Sequence, residues 1–152
     1  MKVYITAPLA HRFDTKTKEE FIKLVNSVDS LLKGFKFSTY LTYRDFLQWG
    51  KVSYNPNTVF EKLVLELKTS DFVLSIHPNE GIGSNIVLGM AATLKKHIII
   101  LLDKNFEIDS LPGLMYQGFN KITKCEILVY DGMSDLKKKL TIAIKNFLKS
   151  HK

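Results

Sequence analysis

Two short segments of this sequence carry side chains that could hold an anion or react with a ligand. The first contains His11 and Arg12, and the second is the glycine-bearing stretch from Glu80 to Asn85. An arginine can hold a phosphate through two parallel N–H donors, and a neighbouring histidine can add a hydrogen bond. Free backbone N–H groups at a helix start also attract anions. Both segments are therefore candidate ligand loops, although solvated loops and ordinary helix caps have the same composition.

The glycine-bearing stretch does not match a known phosphate-binding motif. Gly81-x-Gly83 is followed at the third position by Ile86, so the pattern G-x-G-x-x-G is incomplete. No Gly-Lys-Ser/Thr occurs, which excludes a Walker loop. Ser84 and Asn85 could contact a ligand, or they could simply cap the helix that follows. Both interpretations stay open.

A third group of candidate residues, Tyr43, Arg44 and Asp45, follows the second apolar run of the chain. These side chains could stack on a base and contact a sugar, or they could cover the edge of a sheet. The two carboxylates that could act in catalysis are Asp45 and Glu80. A glutamate in a turn is, however, ordinarily just exposed to solvent.

The elements that must position these residues alternate between strands and helices. Apolar runs predict strands over residues 2–6, 37–41, 72–77, 97–102 and 127–130. Helical spacing and end signals predict four helices: one ending at Gly34, one opened by a Thr58–Glu61 capping box, one over 84–95 and one capped by Ser134. We expect a long, partly ordered loop over 42–56 and another loop around 112–113. This alternation predicts an α/β protein with a Rossmann-like or flavodoxin-like three-layer fold, in which helices flank a five-stranded parallel sheet.

In such sheets, ligands bind beyond the carboxyl ends of the strands, at the point where the strand order reverses. That rule places the turn after the first strand, which begins at Ala7 and Pro8, beside the turn after the third strand. The two candidate ligand loops should therefore face one site.

Composition bounds the remaining possibilities. The 152 residues predict a single domain over 1–152. The net charge of +7 allows a polyanion partner, but the lysines are dispersed and no arginine-rich or aromatic-interleaved segment favours a nucleic acid. One cysteine, Cys125, excludes an internal disulfide and a cysteine metal cluster, and we expect neither a metal nor a cofactor. No apolar run approaches the roughly 20 residues of a membrane helix, and no signal peptide is evident. We expect a cytoplasmic protein with no membrane partner.

Three segments resemble one family of proteins. They are "KVYITAPL", "TSDFVLSIHPNEGIGSNIVLGMAATLKKHIIILL" and "ILVYDGMSDLKKKLTIAIKNFL", and they resemble the nucleoside 2-deoxyribosyltransferase superfamily, which includes the 2'-deoxynucleoside 5'-monophosphate N-glycosidases. The resemblance implies a nucleoside or nucleotide ligand, no cofactor, and a homo-oligomer in which a neighbouring chain completes the pocket. It also implies a glutamate on the helix after the third strand, which attacks or stabilises the anomeric carbon, and a helper aspartate on the preceding helix.

The sequence departs from the family pattern at both carboxylates. When the segments are matched without a gap from Asp71, the glutamate position is Val87, and with a two-residue insertion it becomes Asn85. The helper aspartate falls at Leu63. The nearest acids on that helix are Glu61 and Glu66, which do not match the pattern.

These observations favour a nucleoside- or nucleotide-binding protein whose N-glycosidic chemistry is impaired or lost. The first alternative is an active deoxyribosyltransferase or N-glycosidase that uses Glu80 or Asp45 in place of the usual glutamate. The second is a basic interaction module that binds a polyanion or a protein partner. The predicted ligand contacts are Ala7, Pro8, His11, Arg12, Tyr43, Arg44, Gly81, Gly83, Ser84 and Asn85.

Overall fold

The computed structural model describes residues 1–8, 15–53, 55–77, 82–106 and 111–150. These residues form five strands: β1 (Lys2–Thr6), β2 (Ser38–Tyr40), β3 (Phe72–His77), β4 (His97–Asp103) and β5 (Cys125–Tyr130). They also form six α-helices: α1 (Thr15–Gly34), α2 (Thr42–Asp45), α3 (Pro56–Thr69), α4 (Ile82–Thr93), α5 (Leu111–Gly118) and α6 (Gly132–Ser150).

The five strands form one sheet in the order β2-β1-β3-β4-β5, and all neighbouring strands are parallel. Val3 of β1 pairs with Thr39 on one side and with Phe72 on the other. The predicted α/β fold with a five-stranded parallel sheet is therefore confirmed. Its strand order is the flavodoxin-like one, which reverses direction between β1 and β3.

Helices cover both faces of the sheet because alternate strand residues point to opposite sides. Val3 and Ile5 of β1 pack with the apolar faces of α1 and α6, whereas Tyr4 packs with residues of α3, α4 and α5. All six residues of β3 are buried, as expected for a central parallel strand covered on both faces. Because the strands are parallel, the segments that follow β1, β2 and β3 all begin at the carboxyl edge of the sheet.

Three sequence-based predictions about helix ends or loops were wrong. Helix α3 begins at Pro56 because the Asn55 side chain accepts a hydrogen bond from the Asn57 N–H at 2.9 Å, so Thr58 is not its cap. The last helix begins at Gly132, before Ser134. The predicted loop around residues 112–113 belongs to α5, because proline is tolerated in a first helical turn, where the backbone N–H has no partner within the helix.

Within the described residues, none of the helices combines the length and apolarity that a membrane crossing requires. The same residues contain no group of three or more His, Cys, Asp or Glu side chains placed to hold a metal ion. Burial raises the pKa of the Cys125 thiol to about 12, so this side chain is protonated and unreactive at neutral pH.

Candidate functional site

A cavity of about 170 Å³ lies at the carboxyl end of β1, where the strand order reverses. Three parts of the chain line it: the end of β1, the segment that follows β2, and the facing sides of α3 and α4. Its described lining consists of Tyr4, Ile5, Thr6, Ala7, Leu41, Thr42, Tyr43, Leu47, Val59, Leu63, Gly83, Ser84 and Val87. This is the position at which flavodoxin-like sheets bind ligands.

Helix α2, which begins shortly after the end of β2, forms one wall of the cavity. Residues 42–56 were predicted as a long, partly ordered loop, and their ordered parts are α2 and a 3-10 turn at Gln48–Gly50. The Tyr4 hydroxyl and Thr42 Oγ1 are hydrogen-bonded at 2.8 Å, which joins the end of β1 to the start of α2. Burial raises the pKa of Tyr4, and it raises the pKa of Tyr43 as well, so both phenols are neutral at physiological pH.

The described lining of the cavity carries no carboxylate and no cation. Its polar side chains are hydroxyls, from Thr6, Thr42, Ser84 and the two tyrosines. Such a site can exchange hydrogen bonds with a neutral ligand group and pack against apolar surface. The described lining therefore offers neither a carboxylate nucleophile nor a general acid of the carboxyl type.

Ser84 differs from the other hydroxyls of the cavity. The residue is 2% exposed, and its Oγ has no hydrogen-bond partner among the described residues. Buried hydroxyls are nearly always paired, and leaving one unpaired costs free energy. Ser84 is therefore available to a ligand that enters the cavity.

The two positions at which the resemblance places carboxylates both line this cavity. Val87 lies on α4, one turn after Gly83 and Ser84, and Leu63 faces it from α3. Asn85, the other position considered for the glutamate, instead accepts a hydrogen bond from the Tyr116 hydroxyl of α5. Val87 thus belongs to the described lining of the cavity, and Asn85 does not.

Arg44 and Asp45 are engaged with each other and with α1. Arg44 Nε donates to Asp45 Oδ1 at 2.7 Å, and Arg44 Nη1 donates to Asp29 Oδ1 at 2.7 Å. Burial opposes the guanidinium charge, but the hydrogen bonds to Asp45 and Asp29 raise the pKa of Arg44. Asp45 Oδ2 also accepts the Leu41 N–H at 2.8 Å, at the start of α2. Neither Arg44 nor Asp45 belongs to the described lining of the cavity.

The acids of α3 are also placed away from the cavity lining. Glu66 is buried between Lys2 and Lys62, with which it forms ion pairs. Burial favours its neutral form, but the hydrogen bonds from these two lysines hold its pKa below the usual range. Glu61 is exposed on α3.

The other predicted site residues divide into three groups. Ala7, Tyr43, Gly83 and Ser84 are brought together in the cavity lining. Pro8 is buried next to Ala7 but is not part of the described lining. The third group, His11, Arg12, Glu80 and Gly81, lies outside the described residues.

Sequence reasoning missed Tyr4, Thr6 and Thr42 in the lining of this cavity. Tyr4 and Thr6 alternate with the apolar residues of β1 and so point to the face that α3 and α4 cover. A tyrosine and a threonine two residues apart at the carboxyl end of the first strand were the available signal. Thr42 carried no such signal, because α2 was not predicted.

No protein-family model matches the sequence, and no curated protein matches it. Several solved structures do match. The CMP N-glycosidase BcmB of Clostridium botulinum superposes with a TM-score of 0.70 at 16% identity, covering 93% of this chain and 99% of that one. BlsM superposes with a TM-score of 0.69 at 18% identity, covering 95% and 90%. A 2-deoxyribosyltransferase of Bacillus psychrosaccharolyticus gives 0.60 at 16% identity, covering 90% of each chain.

The chain has the fold of these three proteins. The correspondence extends over nearly the whole length of both partners. At this level of identity the likeness is one of fold, and the chemistry of the cavity must be argued from its own side chains.

Proposed function

We propose that this chain is a nucleoside 2-deoxyribosyltransferase-like protein that binds a nucleoside or nucleotide without cleaving its N-glycosidic bond. The observation that carries the proposal is the joint position of Val87 and Leu63 in the lining of one cavity. These are the two positions at which the family resemblance calls for carboxylates. The location of the cavity at the strand-order reversal supports ligand binding.

The physical reason for the proposed inactivity is that the described lining of the cavity holds no group that can stabilise positive charge at the anomeric carbon. N-glycoside cleavage by retaining enzymes uses a carboxylate as nucleophile or as electrostatic stabiliser of an oxocarbenium-like transition state. Valine and leucine offer neither a lone pair nor a charge. A nucleoside between Val87 and Leu63 would therefore be packed against apolar surface and kept intact.

The hydroxyls of the cavity are the proposed polar contacts to the ligand. Ser84, Thr6 and Tyr43 line it together with Ala7 and Gly83. For Arg12 we propose contact with a phosphate group. Arg12→Ala should then weaken binding of nucleoside monophosphates more than binding of the free nucleosides, and an equal loss for both would contradict the phosphate role.

The deciding experiment combines calorimetric binding with an assay for released base. The wild-type protein is titrated with nucleosides and their monophosphates, and the same mixtures are analysed by chromatography after long incubation. The proposal expects saturable binding and no free base. Base release by the wild type would overturn it and support the alternative enzyme. Glu80→Gln and Asp45→Asn would then show whether either carboxylate carries the activity.

We further propose that the chain forms a homo-oligomer through the outer faces of α4 and α5. Four large apolar side chains are more than half exposed on these neighbouring helices, namely Ile82, Ile86, Leu114 and Met115. Apolar groups gathered on one surface are typical of interfaces between protein chains. Sedimentation analysis should find a dimer or larger species that Ile86→Glu converts to monomer, whereas a monomeric wild type would refute this part of the proposal.

A further inference from the structure

The amino-terminal edge of the sheet, opposite the cavity, is rich in lysine. Strands begin at this edge and helices α3 and α4 end there, because each helix runs antiparallel to the strands it covers. The lysines that the chain places around the ends of α3 and α4 and before β5 are Lys68, Lys95, Lys96, Lys121 and Lys124. Charge is thus concentrated in space although it is dispersed in sequence.

Among the described carboxylates of the same edge, lysines neutralise Glu66, whereas Asp71 is bonded to a backbone N–H and keeps its negative charge. Glu66 pairs with Lys2 and Lys62, and Glu126 pairs with His97 at 3.1 Å. The Asp71 carboxylate accepts the backbone N–H of Lys2 at 2.6 Å. Lys68, Lys95, Lys121 and Lys124 take part in none of the ion pairs found among the described residues, so this edge carries an excess of positive charge.

A groove of about 470 Å³ runs between the end of α4 and the start of β5 at this edge. Three lysines, Lys95, Lys96 and Lys124, and one exposed carboxylate, Asp71, line it. Thr123 Oγ1 donates to the Lys96 carbonyl at 2.7 Å, which ties its two walls together. Lys96 Nζ turns inward and donates to the carbonyls of Lys68 and Ser70, at 2.7 Å each. Lys95 and Lys124, both exposed, are left as its outward cations.

The backbone at Lys95 is unfavourable for a lysine. Its φ of 53° lies in the left-handed region, and its N–H donates to the Ala92 carbonyl at 2.9 Å to end α4. Glycine or asparagine is the usual residue at such a helix end, and a longer side chain is conformationally costly there. The negative end of the helix dipole favours a cation at Lys95, but it does not account for Lys124, which precedes a strand.

We propose that this groove, defined by Lys95, Lys96 and Lys124, binds the phosphate backbone of a nucleic acid strand. A concave basic groove fits an extended anionic chain better than it fits a flat bilayer surface. The described lining holds no arginine and no exposed aromatic ring, so it offers neither a guanidinium fork for guanine nor a stacking platform. Binding is therefore expected to be independent of base sequence and governed by salt.

The test compares two variants of equal charge in the full-length protein. The groove variant replaces Lys95 and Lys124 of the groove, and Lys121 of the same edge, with glutamine. The control variant makes the same change at Lys51, Lys137 and Lys138, which are exposed near the opposite edge of the sheet. Each variant lowers the net charge from +7 to +4. Fluorescence anisotropy with a short labelled single strand of mixed sequence measures affinity between about 50 and 200 mM salt.

The groove variant should lose about tenfold or more in affinity. Its plot of log K against log salt should be less steep, with the magnitude of the negative slope smaller by about 2. The control variant should retain most of the affinity and the slope. An equal loss in both variants would show that only net charge matters and would overturn the proposal, as would wild-type binding to anionic vesicles but not to the strand. Nucleoside binding should be unchanged in both variants, so failure here is distinguishable from failure of the proposed function.

Discussion

Two neighbouring regions beside the carboxyl end of β1 contain opposite kinds of side chain. The α2 region holds a network of charges, in which Arg44 links Asp45 to Asp29 of α1. The described lining of the cavity holds hydroxyls and apolar groups, and Val87 and Leu63 are among the apolar ones. Arg44 and Asp45, two of the charged candidates from the sequence, thus join secondary-structure elements, whereas the described lining of the cavity is neutral. A charged residue near a site is evidence for function only when its partners leave it free to act.

The largest expected effect comes from breaking the charge network. Arg44→Ala should lower the free energy of unfolding by about 3 kcal/mol, because it leaves the nearly buried Asp29 carboxylate with fewer partners. Urea denaturation measures the change. Arg44→Lys, which keeps the charge but not the planar fork, should recover only part of the loss.

The same variants separate a structural role of Arg44 from a ligand-binding one. A structural role predicts that properly folded Arg44→Lys binds nucleosides as tightly as the wild type does. Normal stability together with weakened nucleoside binding would reverse the assignment and place Arg44 in the site.

Removing Arg44 takes a charge out of the charged network, and the opposite experiment places a charge in the neutral lining of the cavity. Val87→Glu should lower the free energy of unfolding by about 2 kcal/mol near neutral pH, since the new carboxylate has no cationic partner among the described lining residues. Burial raises the pKa of such a carboxyl, so the destabilisation should grow as the pH rises above its unfolded value of about 4.3. Denaturation at several pH values checks the sign.

Val87→Asn is the matched control, because it adds polarity without charge. Its destabilisation should be independent of pH. A Val87→Glu protein that is as stable as the wild type at pH 7 would mean that the side chain reaches a cation or open solvent, and the description of the cavity as neutral would fail.

The sheet could be predicted from the sequence because its strands have simple patterns. β4 is apolar and buried from Ile98 to Leu102, as expected for a strand in the interior of a sheet that is covered on both faces. Gly34 ends α1 as its position suggests. Helices α2 and α5 were missed for physical reasons. α2 has only four residues, and the Pro-Gly pair in the first turn of α5 is more typical of a turn.

The location of the candidate site could be predicted from the sequence, but the roles of the charged residues near it could not. Strand alternation and the strand-order rule predict a site at the carboxyl edge of the sheet, and Ala7, Gly83 and Ser84 line the cavity there. The roles of Arg44 and Asp45 depended on Asp29, which is distant in sequence and nearly buried on α1. Partnerships of this kind are tertiary, and no local pattern in the sequence indicates them.

The difference in acid sensitivity between the wild type and an Asp29 variant should report on the charge network. Burial opposes the charge of Asp29, but hydrogen bonds from Lys33, Thr39 and Arg44 outweigh it and lower the pKa of the carboxyl. Its contribution to stability is therefore present above the unfolded value of about 3.9 and is lost as the pH falls through the folded one. Asp29→Asn should be about 1 kcal/mol less stable than the wild type at pH 7. The two proteins should converge below about pH 3, whereas a constant difference in stability would show that the charge is not responsible.

The smallest expected effect on stability tests the one cavity hydroxyl that has no described partner. Ser84→Ala should change the free energy of unfolding by less than about 0.5 kcal/mol, because no hydrogen bond to a described residue is lost. Ser75→Ala is the matched control, since Ser75 is equally buried but hydrogen-bonded to His77 Nε2 at 2.6 Å. It should cost about 1 kcal/mol or more.

Ligand affinity should show the reverse order. If Ser84 is kept unpaired for a ligand, Ser84→Ala weakens nucleoside binding several-fold and Ser75→Ala leaves it nearly unchanged. A Ser84→Ala protein that is clearly less stable would mean that the hydroxyl is already satisfied within the chain. The contrast between a paired serine under the cavity and an unpaired one in its lining would then disappear, together with the reason for assigning Ser84 to the ligand.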